Sequence, residues 1–203
     1  MKVSLFGCFA VALVLSVGAL QQLTAQETPK EETPGSSYLD KQTGIKFPAK
    51  IGNLKFDSAK DFGDPKLGVG IRYRSPDALQ IDAIIYNLGL KTIPADPADP
   101  TVKQQADQAL GDIEAAAERG LYKDLKVISR EVVPLSKAKG APQAHKLSLA
   151  FTLSEKPRES CLYLLVYKDH FVKIRATWFP ATKEASEKDV AGMVEWLAGE
   201  MKR

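Results

Sequence analysis

The chain contains 203 residues, of which 28 are lysine or arginine, 25 are acidic and two are histidine, for a formal net charge of +3. Basic and acidic residues are interspersed rather than concentrated in a basic stripe, which argues against a nucleic-acid binder. The length allows one domain with a substantial core, and the residues that follow an N-terminal leader are too few for two domains.

The first 25 residues have the pattern of an export signal. Lys2 supplies a positive charge, an apolar run covers residues 3–20, and the small residues Ala19 and Ala25 offer cleavage points. Export removes the chain from cytoplasmic ATP, NAD and reduced glutathione. We therefore predict a signal peptide over residues 1–25 and a secreted or periplasmic mature protein.

Two other interpretations of this leader stay open. Residues 3–20 approach the length that crosses a bilayer, so the leader could remain as an uncleaved anchor. Cys8 could instead be acylated, although it precedes most of the apolar run and Phe6 stands where a small residue is expected. Because glycine and serine also dilute the run, we favour cleavage.

Residues 26–37 are charged and rich in proline, threonine and serine, so they predict a disordered linker ahead of a single domain over residues 38–203. Once Cys8 leaves with the leader, Cys161 is alone and the mature chain can form no internal disulfide. No second long apolar run follows in the sequence. We therefore expect no stable membrane span after cleavage.

The first part of the domain predicts four strands, over residues 44–48, 54–62, 67–74 and 79–88. In the third of these, apolar residues alternate with glycine or arginine from position 69 to position 74, which is the period of a half-buried strand. The Ser-Pro-Asp sequence at 75–77 predicts the turn into the fourth strand.

Two helices are predicted. Residues 91–100 contain three prolines and predict irregular structure, which ends where Asp99 can accept the free amides of a first helical turn. Gly120 predicts the end of this helix. A second helix is predicted from Ser186, with Asp189 completing a capping box. The predicted buried stripes are Val102, Ala106, Leu110, Ile113 and Ala117 on the first helix, and Val190, Met193, Leu197 and Met201 on the second.

Four more strands are predicted between the helices, over residues 125–133, 143–153, 161–168 and 171–179. We expect Asp169 and His170 to form a two-residue turn, which places Cys161 opposite Trp178. We also expect a loop over residues 155–160, which places Leu153 opposite Cys161. These two registers define the two faces of the sheet.

The first face is expected to be a core, and the second face is mixed and is the expected location of a binding site. The core face comprises Leu147, Leu149, Phe151, Leu153, Tyr163, Leu165, Tyr167, Val172, Ile174, Ala176 and Trp178. The mixed face comprises Lys146, Ser148, Ala150, Thr152, Leu162, Leu164, Val166, Lys173, Arg175 and Thr177.

The basic residues of the mixed face are the candidate ligand-binding residues. Lys146, Lys173 and Arg175 could gather an anion there, with neighbouring serine and threonine hydroxyls at Ser148, Thr152 and Thr177 as hydrogen-bond donors. Ordinary solvated positions on an outer sheet face explain the same residues, and a helix covering part of the face is a further alternative.

A second candidate site comprises His145, Asp169 and His170, which the expected registers place at one edge of the sheet. Two imidazoles and a carboxylate could bind zinc or copper, or could serve a hydrolase. Two unrelated histidines explain the same residues. A dyad of Cys161 with His170 is excluded, because nine strand positions separate them by roughly 30 Å. We predict no metal and no cofactor, and Cys161 is interpreted as a core residue.

The end of the chain resembles a known family of folds. Residues 163–167 (YLLVY), residues 170–177 (HFVKIRAT) and the closing helix from 186 to 201 resemble the PsbP/Mog1-like α/β/α sandwiches found among exported bacterial proteins. From the order of elements we predict an α+β domain, with one antiparallel sheet and two main helices packed on one or both faces. The resemblance implies a mostly non-enzymatic group of binding or assembly-accessory proteins.

Two functional hypotheses follow. The first is an exported, non-catalytic domain that binds a partner protein or a small ligand in the cell envelope, through the mixed face or the proline-rich segment 91–100. It is favoured because the sequence contains no Gly-x-Ser-x-Gly, His-Glu-x-x-His or Cys-x-x-Cys motif. The alternative is a secreted, hydrolase-like enzyme with an unrecognised site near His145, Asp169 and His170.

Overall fold

The structure, a computed structural model, describes residues 36–202. The predicted signal peptide and the first ten residues of the predicted linker lie outside the described residues. The strands are β1 (Tyr38–Leu39), β2 (Lys46–Phe47), β3 (Lys50–Ile51), β4 (Leu54–Asp61), β5 (Val69–Arg74), β6 (Gln80–Tyr86), β7 (Lys123–Pro134), β8 (Gln143–Leu153), β9 (Lys156–Tyr167) and β10 (His170–Trp178). The helices are α1 (Pro100–Glu118) and α2 (Lys183–Glu200), and a 3-10 turn at Pro180–Thr182 precedes α2.

Eight strands form one antiparallel sheet, in the spatial order β3-β4-β5-β6-β10-β9-β8-β7, and β1 pairs with β2 in a separate ribbon. The two helices contribute to different buried clusters, α2 on one face of the sheet and α1 on the other. The predicted α+β class is therefore confirmed, and the helices cover both faces. No helix within residues 36–202 is long and apolar enough to span a membrane.

Helix α1 begins and ends as the sequence predicts. The Asp99 side chain accepts a hydrogen bond from the backbone amide of Thr101 at 2.8 Å, which satisfies one free donor of the first turn. At the other end Gly120 adopts a φ of +78°, a conformation that glycine adopts without steric cost. The buried residues are Val102, Ala106, Ala109, Ile113 and Ala116, so the stripe is displaced slightly from the predicted one.

Helix α2 begins at Lys183, three residues before the predicted start. The predicted capping box is wrong, because the hydroxyl of Ser186 lies 3.2 Å from that of Thr182 and Asp189 accepts a hydrogen bond from Asn53. The predicted stripe is confirmed. Val190, Met193 and Leu197 are buried, and Met201 packs against the same cluster.

The β9–β10 hairpin differs from the predicted register by two residues. Its turn is Lys168–Asp169, both with left-handed φ angles of +46° and +58°, rather than Asp169–His170. Cys161 therefore lies opposite Ala176 instead of Trp178. A shift of two preserves which side chains share a face, and Trp178 remains 4% exposed in the core as expected.

The β8–β9 pairing differs from the prediction by an odd number, and this exchanges the faces. The predicted loop over 155–160 is strand, and a two-residue turn at Ser154–Glu155 places Leu153 opposite Lys156 rather than Cys161. An odd shift sends every side chain of β8 to the face opposite the predicted one. Both faces of β9 are apolar, so alternation in β9 alone could not select the register.

The sheet consequently has a core on each face. Leu147, Leu149 and Phe151 of β8 join Leu162 and Leu164 of β9 beneath α1. The other face packs apolar residues of β4, β5, β6, β9 and β10 against α2. Helix α1 packs against β7 and β9, whereas α2 packs against β3 and β10. Each helix thus leaves part of its own sheet face uncovered.

Candidate functional site

The structure separates the three basic residues that the sequence predicted to share one face. Lys173 and Arg175 project from β10 on the face of α1. Lys146 lies beside Tyr163 on the face of α2, and its Nζ is 3.6 Å from a carboxylate oxygen of Glu131. The expectation of one basic cluster is wrong because the register of β8 is shifted by an odd number. The ligand-binding role of each residue stays a prediction.

The predicted hydroxyl donors are also dispersed. Ser148 lies on the α2 face with Lys146. Thr152 donates a hydrogen bond to Asp124 at 3.3 Å, and Thr177 lies 3.1 Å from the hydroxyl of Ser160. None of these three hydroxyls lines the space around Lys173 and Arg175.

His145, Asp169 and His170 are not brought together. His145 lies opposite Leu164 instead of Asp169, and its Nε2 donates to the Pro97 carbonyl at 2.8 Å. Asp169 accepts from the amide of Ile93 at 3.0 Å. The His170 ring contacts the side chain of Gln42 and the carbonyl of Lys168. Within residues 36–202 no group of three or more His, Cys, Asp or Glu side chains is placed to hold a metal ion.

Cys161 is 5% exposed, and burial raises the pKa of its thiol to about 12. A thiol of this pKa is almost entirely protonated near neutral pH, whereas the thiolate is the nucleophilic form. Its interpretation as a core residue is consistent with this environment.

A groove between α1 and the β4–β5–β6 part of the sheet contains the two basic residues of β10. Its cavity volume is about 490 Å³. We call it the α1 groove, and its lining residues are Ser58, Lys60, Phe62, Gly70, Ile71, Arg72, Asp82, Ile84, Ala109, Asp112, Ile113, Ala116, Tyr122, Leu162, Lys173 and Arg175. Small-molecule sites typically enclose roughly 300–1,000 Å³, so the groove has the size of a ligand pocket.

The first row of the groove floor is charged. Antiparallel pairing sets Ser58, Arg72, Asp82, Arg175 and Leu162 side by side across β4, β5, β6, β10 and β9. The alternation of each strand sends these residues toward α1 while their neighbours enter the opposite core. Asp82 therefore lies between two arginines.

Asp82 is bonded to only one of these arginines. One of its oxygens accepts a hydrogen bond from Nε of Arg72 at 2.6 Å. The other accepts a hydrogen bond from the side-chain amide of Gln80 at 2.7 Å. The guanidinium of Arg175 instead lies over the rings of Tyr122 and Phe151, at 5.4 and 5.9 Å from the centroids. Its Nε is buried and has no hydrogen-bond acceptor among residues 36–202.

This arrangement leaves Arg175 short of a partner. A buried donor without an acceptor costs roughly 1–3 kcal/mol, and more when the group is charged. The aromatic faces offset part of that cost through cation–π attraction. An anionic group in the groove could supply the missing acceptor.

The second row of the floor is mostly apolar. Lys60, Gly70, Ile84, Lys173 and Leu164 lie side by side across the same five strands. Burial lowers the pKa of Lys173, and the negative charge of Asp112 on α1 acts in the opposite direction. Within the described residues, Lys173 forms no ion pair within 4.0 Å, and its Nζ lies 5.5 Å from the Tyr86 ring centroid.

An aromatic side chain forms one wall of the groove. Phe62 follows β4, is 40% exposed and places its ring against Gly70. A Cβ at position 70 would lie 3.1 Å from Cζ of this ring, so glycine permits the close packing. Phe62 and Arg72 were not among the predicted site residues, although both line the groove. The alternation in residues 69–74 was the available signal for Arg72, because it places Arg72 on the face opposite Ile71 and Tyr73.

A second groove lies on the other face, between α2 and the β7–β8–β9 part of the sheet, with a cavity volume of about 570 Å³. We call it the α2 groove, and it contains Lys146, Lys183, Glu159, Glu187 and Trp178. Both lysines are paired. Lys183 lies 3.1 Å from Glu159 and 3.9 Å from Glu187, and Lys146 lies 3.6 Å from Glu131, at the edge of the sheet.

No protein-family model and no curated protein sequence matches the chain. Among solved structures, the chain is similar to the solution structure of cyanobacterial PsbP (CyanoP) from Synechocystis sp. PCC 6803, with 12% sequence identity and a TM-score of 0.48. The alignment covers 87% of this chain and 94% of that chain. The weak PsbP-like resemblance suggested by the sequence is thereby confirmed, and it concerns the fold.

Proposed function

We propose that the domain is an exported, non-catalytic binding module that holds the anionic group of a small ligand in the α1 groove. Arg175 and Lys173 are the residues that would hold the anion. The single observation that supports this site most strongly is the buried Nε of Arg175, which has no acceptor among the described residues.

The charges around the groove support an anionic ligand. Lys60, Arg72, Lys173 and Arg175 line it, against two carboxylates, Asp82 and Asp112. Asp82 is already bonded to Arg72 and Gln80, so it offers little to the other cations. An arginine guanidinium suits a carboxylate or phosphate because its planar fork can donate two parallel hydrogen bonds.

Binding can be tested with two charge-matched double variants. Replacement of Lys173 and Arg175 by methionine should abolish the co-purification of a small ligand with the protein, as measured by native mass spectrometry. The matched control replaces Lys146 and Lys183 by methionine in the α2 groove and should retain the ligand. Retention by the first variant, or loss from the second alone, would contradict the α1 groove as the site.

The exported location rests on the leader sequence and has its own test. N-terminal sequencing of protein from the envelope or the medium should show a mature chain that starts near Gln26. A protein that retains Met1 would refute cleavage.

A further inference from the structure

The lining of the α1 groove is chemically uneven. Arg175 lies in the charged row of the floor, whereas the next row has Gly70 and Ile84 between Lys60 and Lys173, and Phe62 stands at one wall. Ile113 and two alanines of α1 face the floor. The small alanine side chains leave room between the helix and the sheet. The groove therefore combines cationic groups with a larger apolar surface.

A bare anion would satisfy only part of this surface. A water molecule occupies about 30 Å³ of liquid volume, and an acetate or phosphate ion is only a few times larger, whereas the cavity is about 490 Å³. With only such an ion bound, Phe62 would stay 40% exposed and the apolar part of the lining would stay in water. Because burial of apolar surface favours association, an apolar body would add substantially to binding.

We propose that the ligand is an amphiphilic carboxylate, whose carboxylate is held by Arg175 and Lys173 and whose apolar body packs between Phe62 and α1. This inference rests on the proposed function, since it names the class of the ligand for the same groove. The charge comes from β10 and the apolar contacts come from the end of β4 and from α1, so the two ends of the ligand can be tested separately.

Three probes separate the carboxylate from the apolar body. Decanoate has both, acetate has the carboxylate alone, and decyltrimethylammonium has the same chain length with the opposite charge. Each is titrated below its micelle concentration into the protein and followed by calorimetry and by amide chemical shifts. We expect decanoate to bind at least tenfold more tightly than acetate, to shift amides of β5, β10 and α1, and to bind at least tenfold more tightly than decyltrimethylammonium.

Each other outcome has a definite meaning. Equal affinities for decanoate and acetate would overturn the amphiphilic ligand and leave an anion site in place. Equal affinities for decanoate and decyltrimethylammonium would overturn both proposals, because the cations would then contribute nothing. Undetectable decanoate binding at millimolar concentration would overturn the amphiphilic ligand, while the co-purification test still decides the proposed function.

A matched pair of variants tests whether the apolar wall contacts the ligand. Phe62→Ala should weaken decanoate binding about fivefold and leave acetate binding unchanged, since it removes contact with the chain only. Leu67→Ala removes another exposed side chain, 52% exposed and outside the groove lining, and should change neither affinity. Equal decanoate affinity in both variants would contradict packing against Phe62. Both positions are substantially exposed, so neither variant endangers the fold.

Discussion

The two grooves lie on opposite faces of one sheet, and they differ in how their cations are satisfied. In the α2 groove, Lys146 and Lys183 each lie within 4.0 Å of a carboxylate. In the α1 groove, Lys173 forms no such pair among the described residues and Nε of Arg175 has no acceptor. The α2 groove is the larger of the two, about 570 against about 490 Å³. Each groove also contains one buried donor without an acceptor among the described residues, the neutral Nε1 of Trp178 in the α2 groove and the cationic Nε of Arg175 in the α1 groove. Neither volume nor the presence of lysine therefore distinguishes a binding site here, whereas an unsatisfied cationic donor does.

The reason for this difference is the position of the carboxylates. Glu159 and Glu187 lie on β9 and α2 within reach of Lys183, so the protein completes the pairs itself. On the α1 face, the floor carboxylate Asp82 is bonded to Arg72 and Gln80 and not to Arg175, its other neighbour in the row. In the α2 groove, carboxylates of the protein itself pair with the lysines. The α1 groove still offers a cation to a ligand.

The largest expected effect concerns the accessibility of the α2 groove. Cys161 lines it, and burial raises the pKa of this thiol from 9.0 to about 12. Because only the thiolate reacts, native protein should be alkylated by iodoacetamide about a thousandfold more slowly than unfolded protein at pH 8, as measured by mass spectrometry. Rapid native labelling would contradict the burial of this thiol and show that small molecules reach it in the α2 groove.

The two cores should contribute comparably to stability, although they lie under different helices. Met193→Ala on α2 and Ile113→Ala on α1 should each lower the free energy of unfolding by about 2–5 kcal/mol, because each leaves a cavity in a buried cluster. Urea denaturation measures both, and the exposed control Leu67→Ala should stay within about 0.5 kcal/mol of the parent protein. A negligible effect of Ile113→Ala would mean that α1 is not packed as described.

A smaller effect is expected in alkaline solution and concerns mainly the α2 face. Above pH 9.0 the unfolded Cys161 thiol loses a proton that the folded protein retains up to about pH 12, so the unfolded state binds fewer protons and stability falls across this window. Cys161→Ala should reduce the slope of unfolding free energy against pH by at most about 1.4 kcal/mol per pH unit. An unchanged slope in this variant would contradict the burial of the thiol.

The smallest effect compares one cation from each groove. Arg175→Met should leave the free energy of unfolding unchanged or raise it by up to about 1 kcal/mol, because it removes a buried donor without an acceptor. Lys183→Met should leave stability unchanged or lower it slightly, because it removes an exposed ion pair with Glu159. Thermal denaturation of both variants in low and high salt measures the difference. A larger loss in Arg175→Met than in Lys183→Met would reverse the comparison.

Local patterns in the sequence predicted most of the elements correctly. Asp99 and Gly120 mark the ends of α1 because capping and left-handed backbone depend on the residues at those positions. The strands from 54 to 88 and from 143 to 179 are also present, because alternation and turn residues are local signals. The start of α2 was displaced, since Ser186 lies inside the helix and contacts Thr182, the residue that precedes the helix, instead of capping the helix.

The site was predicted only in part. Lys173 and Arg175 do share a groove, because residues two apart on a strand always face the same way. Lys146 does not join them, and His145 does not meet Asp169. Both errors have one origin, the odd displacement of β8 against β9, which no pattern within a single strand could reveal.

The sequence by itself determined where this chain forms helices and strands, and that β10 carries two cations on one side. Only the tertiary structure decided which residues of neighbouring strands lie beside those cations, and where each helix lies across the sheet. The physical reason is the range of the interactions: capping and alternation act over a few residues, whereas register is chosen by packing between distant segments. A strand such as β9, apolar on both faces, leaves that choice to its neighbours and to α1.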